Sequence, residues 1–156
     1  MLSRHFLRAK ALQTIYAGLS DDKATEQDII KTFDYNVTRL NDLGITQMST
    51  LGQLVFVAER ILESEKQKFS PSMTEINTLQ RIISNKFISS LESGFEFKQQ
   101  MNRLHIDWSN YFDVYRKILN TFKNSRNFID YAAIPNPTFN DDKTMAINAF
   151  KQLMND

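Results

Sequence analysis

Four basic side chains, Arg4, His5, Arg8 and Lys10, open the chain with no acidic residue among them, and Ala11-Leu12-Gln13-Thr14-Ile15-Tyr16 follows directly. On a helix Arg4 and Arg8 stand one turn apart. Positions 5, 8, 12 and 16 climb one side, which sets His5, Arg8 and Tyr16 along a shared edge. Guanidinium groups that meet phosphate, beside a ring that can stack on a base, suit single-stranded RNA. A plainer reading stands next to it: Arg4 and Arg8 are a solvated helix end, the apolar run anchors the helix, and Tyr16 is core. Composition alone favours the plainer reading.

A second basic group, Arg116, Lys117, Lys123 and Arg126, has no acid between its members. A position at a helix C-terminus accounts for Lys123 and Arg126 without any ligand. Catalytic constellations are largely missing. His105 and Asp107 could give two metal ligands, but a site needs three or four, the only other histidine is His5, and a capping role for Asp107 explains it better. Glu92 and Glu96 stand one turn apart as an acid and base would, yet no nucleophile accompanies them, and a solvated face is the simpler reading. The four glycines, at 18, 44, 52 and 94, are isolated and form no phosphate loop. Asn36-Val37-Thr38 matches a glycosylation acceptor but falls inside a predicted helix. No metal or cofactor is expected, and the chain is not expected to be an enzyme.

The elements that must carry these residues are set by composition and periodicity. The 156 residues are 42% hydrophobic, enough for one domain burying roughly 70% of its unfolded surface. With 19 basic and 18 acidic side chains the molecule is near neutral, so any affinity for an anionic partner must be local. The absence of cysteine excludes disulfides and thiolate chemistry and favours a reducing compartment. No apolar run reaches the roughly 20 residues of a membrane helix. The basic, acid-free opening shares features with a mitochondrial transit peptide, and a secretory signal fits worse because Arg8 and Lys10 interrupt the apolar stretch. A cytoplasmic protein without membrane contact is expected.

All periodicity is helical, and the fold class is all-α, a helical bundle. The first helix runs from about Ser3 to Leu19. Thr25 and Asp28 sit at capping-box spacing for the next. Its stripe, Ile30, Phe33, Val37, Leu40, Met48, Leu51, Val55, Ala58 and Leu62, persists almost to Pro71. A single helix from Thr25 to Phe69 would be about 65 Å long, against about 40 Å for a compact ball of this length. Either it breaks near Gly44 or Gly52 or one long helix elongates the bundle; the constant phase across both glycines favours the unbroken helix. Leu79, Ile82, Ile83, Phe87, Ile88 and Leu91 form another face, carried on towards Leu104 despite Gly94. Trp108 to Phe122 keeps i, i+3, i+4 spacing from an Asp107 cap. A short helical piece around Phe128, Ile129 and Ala132 precedes the extended Ile134-Pro135-Asn136-Pro137, and a last helix spans about Asp141 to Met154, packing through Met145, Ala149, Phe150 and Leu153.

Arg4, Arg8, Ala11, Leu12, Gln13, Ile15 and Tyr16, in the pattern Arg-x3-Arg-x2-Ala-Leu-Gln-x-Ile-Tyr, resemble the opening helix of the NusB family of bacterial transcription antitermination factors. Arg81-Ile82-Ile83-Ser84-Asn85-Lys86-Phe87-Ile88 and Ile106-Asp107-Trp108 resemble the first half of a longer bacterial subtype. The resemblance implies a single NusB-like helical domain over 1–156. It would bind boxA-type single-stranded RNA together with the small-subunit ribosomal protein NusE, within the transcription elongation complex. It implies phosphate-contacting roles for Arg4 and Arg8, an RNA-contacting role for Tyr16, and His5 in place of a further basic residue. Histidine carries little charge at neutral pH, which weakens that contact. The family's second helical half has no recognisable counterpart here beyond the brief echo Ala146-Ile147-Asn148, so that half is expected to be lacking. Two alternatives of other classes remain: an RNA-binding module of an rRNA methyltransferase, and a helical protein-interaction scaffold without RNA affinity.

Overall fold

The computed structural model describes residues 3–155, and every regular element among them is helical. Eight α-helices and one 3-10 turn occur among the described residues. The chain divides into two compact units, Met1–Ile45 and Thr46–Asp156. All-α architecture is as the periodicity requires.

The first unit is a helical hairpin made of α1 (Arg4–Leu19) and the opening part of α2 (Glu26–Lys66). Both helices start at local caps. The Ser3 hydroxyl accepts from the Phe6 N–H at 3.2 Å. Thr25 and Asp28 form the reciprocal box: the Asp28 N–H donates to Thr25 Oγ1 at 3.2 Å, and the Thr25 N–H donates to the Asp28 carboxylate at 3.1 Å. Between the helices the Lys23 N–H donates to Asp21 Oδ1 at 3.0 Å.

The two helices approach closely at Gly18, where a Cβ would lie 2.3 Å from Ile29 Cγ1. The inward stripe of α1 is Leu7, Ala11, Thr14 and Gly18, all buried or half-buried. Thr14 is the buried residue of the helix and donates its hydroxyl proton to the Lys10 carbonyl at 2.9 Å. Of the run Ala11 to Tyr16 expected to anchor α1, Ala11 and Thr14 turn inward, whereas Leu12, Ile15 and Tyr16 are exposed. Small residues at a spacing of three and four let α1 approach Ile29 of α2 at Gly18; Phe33, Val37 and Leu40 of α2 are half-buried like Ile29, and Leu12, Ile15, Tyr16 and Leu19 of α1 are exposed.

The second unit holds the remainder of α2, which passes unbroken through Gly44 and Gly52. It further contains α3 (Met73–Ile83), α4 (Lys86–Ser93), α5 (Phe95–Leu104), a 3-10 turn (Ser109–Tyr111), α6 (Phe112–Lys123), α7 (Arg126–Ala132) and α8 (Phe139–Asn155). Leu54, Val57, Leu79, Leu119, Phe122 and Phe128 lie at the centre of its core, each nearly or wholly excluded from solvent.

The stretch expected to be one continuous helix from Leu79 towards Leu104 is three. Asn85 breaks it because its side chain has tertiary work: Oδ1 accepts from the Ile88 N–H at 2.9 Å as the cap of α4, while Nδ2 donates to the Asp142 carbonyl at 2.9 Å. Gly94 then ends α4 and begins α5. The last helix starts at Phe139, two residues ahead of expectation. A second capping box sets that start, with the Asp141 N–H donating to Thr138 Oγ1 at 3.3 Å and the Thr138 N–H to the Asp141 carboxylate at 2.8 Å. The helix expected to start at an Asp107 cap begins instead at Phe112, after the 3-10 turn Ser109–Tyr111; Asp107 turns the chain ahead of it, accepting from the Ser109 N–H at 2.8 Å. Trp108 in turn donates from Nε1 to Ser49 Oγ at 2.9 Å and packs edge-on to Tyr115 at 6.0 Å.

Candidate nucleic-acid interface

On α1, Arg4, His5, Arg8, Leu12, Ile15, Tyr16 and Leu19 are all exposed. At about 100° per residue these seven fall within an arc of about 120°, which adjoins the inward stripe on its Ala11 side and is centred about 110° around the helix from it. The expected grouping of Arg4, His5, Arg8 and Tyr16 is therefore one continuous surface. Tyr16 is 74% exposed, which removes the reading that places it in the core. Lys10 is half-buried and lies outside the arc.

Electrostatics make the basic end unusual. The first turn of α1 holds no acidic residue, so Arg4 and His5 stand at the positive pole of the helix dipole, next to the Ser3 cap. Cations are unfavourable there, and an anion near them would be favoured by the dipole and the guanidinium groups together. Towards the C-terminal end of the same arc the surface changes to Leu12, Ile15, Tyr16 and Leu19, between 46% and 76% exposed. Charge, ring and apolar surface thus share one face of one helix.

The second basic group does not form a comparable face. Lys123 ends α6 and pairs with Glu75 of α3, as a helix C-terminus and a nearby carboxylate dictate. Arg126 opens α7 rather than closing a helix, which corrects the C-terminal placement, and it reaches Asp130 at 3.7 Å. Arg116 and Lys117 remain exposed on α6.

The carboxylate pair is also corrected. Gly94 puts Glu92 on α4 and Glu96 on α5, so the two do not stand one turn apart on a helix. Glu92 lies against Gly52 of α2, where a Cβ would come within 2.0 Å of its Oε1, and burial followed by the charge of Glu59 raises its pKa. His105 closes α5 in the left-handed region at φ 49°, a helix-ending conformation. Among the described residues no group of three or more His, Asp or Glu side chains converges as a metal site would require.

Sequence reasoning missed a buried polar network in the second unit. The Asp142 carboxylate, 1% exposed, accepts from the Tyr131 hydroxyl at 2.7 Å and from the Lys86 N–H at 3.0 Å. Arg81 lies over the Tyr131 ring at 5.2 Å and donates to the Ile134 carbonyl. Burial, then the bond to Asp142, pushes the Tyr131 phenol well above its ordinary range. The network ties α3, α4, α7 and α8 together, and its acceptor sits at the N-terminus of α4, where a helix dipole favours negative charge. This is structural chemistry rather than catalysis.

The chain matches no family model, no curated protein and no solved structure. No helix among the described residues is long and apolar enough to cross a membrane.

Proposed function

We propose that the outward face of α1 binds single-stranded RNA, and that the protein is a NusB-like transcription antitermination factor acting by binding rather than by catalysis. The reading takes its RNA to be of the boxA type, its partner to be the small-subunit ribosomal protein NusE, and its place to be the transcription elongation complex in the cytoplasm. One observation carries it: Arg4, His5, Arg8 and Tyr16 share an exposed arc whose basic end lies at the positive pole of its own helix. Phosphate is drawn to that end, and a base can stack on the Tyr16 ring.

Leu12, Ile15 and Leu19, exposed within the same arc, favour a second reading in which a protein sits on α1. The i, i+3, i+7 spacing of those three is that of anchors seated in a groove. Seated alone, a protein partner would make α1 the scaffold surface already raised as an alternative. Seated beside RNA, it would be the ribosomal-protein contact.

Fluorescence anisotropy of a labelled boxA-like RNA, with and without NusE and over a salt series, separates these. For single strands the slope of log affinity against log salt is about −0.7 per phosphate neutralised. Replacing Arg4 and Arg8 together by alanine should weaken binding and make that slope shallower by up to about 1.4, which is two phosphate contacts. Unchanged affinity and slope would overturn the RNA reading. Leu12→Ser with Leu19→Ser that abolishes NusE binding while RNA binding persists would assign the apolar part of the arc to the protein.

A further inference from the structure

The buried network of the second unit leaves one positive charge without a counter-ion. Arg81 is half-buried and takes part in no ion pair among the described residues. Its Nη2 donates to the Ile134 carbonyl, and its guanidinium carbon lies 5.2 Å from the centre of the Tyr131 ring. Its Nε–H is buried with no acceptor. An unpaired, half-buried cation is costly, and an anion from outside the chain offsets that cost. The carboxylates of the neighbouring helices are engaged elsewhere. Glu75, the acid of α3, pairs with Lys123, and Asp130, the acid of α7, reaches Arg126 at 3.7 Å. Asp142 of α8 accepts from the Tyr131 hydroxyl at 2.7 Å and from the Lys86 N–H at 3.0 Å, and it connects to Arg81 only through the Tyr131 ring.

Arg81 lines a cavity of about 430 Å³, a volume that suits a small molecule. Thr74, Asn77 and Thr78 line it from the same face of α3, and Ile134 and Pro135 line it from the segment that follows α7. The Thr78 hydroxyl is committed, donating to the Thr74 carbonyl at 2.8 Å. Thr74 and Asn77 are exposed, and neither side chain has a hydrogen-bond partner among the described residues. The cavity therefore joins a guanidinium, an amide and a hydroxyl that can still donate, and two apolar side chains. Such a set matches an oxyanion carried on a short apolar body. The Tyr131 ring and the Ile134 carbonyl hold the guanidinium in place before any ligand arrives, which lowers the entropy lost on binding.

We propose that this cavity binds a small organic oxyanion, a carboxylate or a phosphate monoester, with Arg81 as its charge partner, Thr74 and Asn77 as further donors, and Ile134 and Pro135 against its apolar part. The site lies wholly within the second unit and stands independently of the RNA reading of α1.

Amide chemical shifts of the full chain, titrated at constant ionic strength with benzoate, phenyl phosphate and benzyl alcohol in parallel, test it. The first two share an aromatic body and differ in the anion, so the tighter of them names the preferred group; the third is neutral. Saturable shifts at Thr74, Asn77, Thr78 and Arg81 are expected with the anions and not with benzyl alcohol. Arg81→Gln removes the charge and should weaken binding about 10- to 150-fold. Because Arg81 also bonds the Ile134 carbonyl, a second variant leaves it in place. Asn77→Asp sets a carboxylate of the chain's own one turn before Arg81 on the wall of the cavity, and should weaken binding of both anions at least about tenfold while the amides around Leu119 keep their shifts. Shifts at these residues that are equal with benzyl alcohol, no saturable shift with either anion, or undiminished binding in Asn77→Asp would overturn the proposal.

Discussion

At the scale of single residues, the groups that carry the proposed function and the groups that hold the fold are cleanly separated. Arg4, Arg8 and Tyr16 are exposed and contribute little to stability; Asp142 and Tyr131 are buried, and the fold depends on them. The site residues were legible because exposed basic and aromatic side chains reveal themselves through spacing on one helix. Asp142 was not legible. In sequence it reads as an acid complementing the first turn of α8, and only its contacts with Tyr131 and with Lys86, 56 positions away, show that it is a buried acceptor. Tyr131→Phe keeps the ring and removes one donor from a buried carboxylate, so it should cost about 1–3 kcal/mol. Urea unfolding measures this, and a change below a few tenths of a kcal/mol would show that the carboxylate recruits another donor.

Among the elements, starts were more legible than breaks. Ser3 and the Thr25–Asp28 box are local signals and set α1 and α2 correctly. The unbroken course of α2 also followed from its constant apolar phase. Thr138 and Asp141 carried the same signal as Thr25 and Asp28, but Thr138 lies just after Pro137, and the helix is expected only from about Asp141. The division of the third stripe at Asn85 was hidden because Ile82, Phe87 and Ile88 keep a helical rhythm across it. Its cause is a bond to a carbonyl 57 residues away. Most misleading was α1, where apolar residues occupy both faces. Periodicity gave no ground for choosing the small residues Ala11, Thr14 and Gly18 as the inward stripe.

That stripe makes a prediction at element scale. Gly18→Val places branched atoms where Ile29 already stands, and overpacking of this kind costs about 1–3 kcal/mol. Amide exchange along α1 should accelerate while exchange in α6 stays as it was. Adding Ile29→Ala should restore much of the protection. Equal protection in Gly18→Val and the native chain would mean the hairpin does not depend on close approach at Gly18.

For the molecule as a whole, charge is balanced in number but not in arrangement, and this governs its response to acid. Hydrogen bonds to Thr25, Ser109 and Thr138 hold Asp28, Asp107 and Asp141 below their ordinary value of 3.8. Lys68, then the Ser72 N–H, holds Glu65 below 4.5. A carboxyl whose folded value is lowered adds stability in full above its unfolded value and loses it as pH falls through the folded one. Glu92 acts in the opposite sense: burial raises its value, so its ionisation weakens the fold as pH climbs past 4.5. Four groups against one predict a net loss of stability from about pH 5 down to about pH 3. Thermal melts across that window should show a falling midpoint; a flat or rising midpoint would mean that these caps do not govern the acid limb.

The central claim is that RNA lies on one face of α1. Amide chemical shifts recorded during titration with a boxA-like RNA test it most directly, because the whole chain reports at once. Shifts should gather on the exposed arc at Arg4, His5, Arg8, Leu12 and Tyr16, while the core of the second unit around Leu54 and Leu119 stays still. Saturable shifts that avoid α1, or none at all, would contradict it.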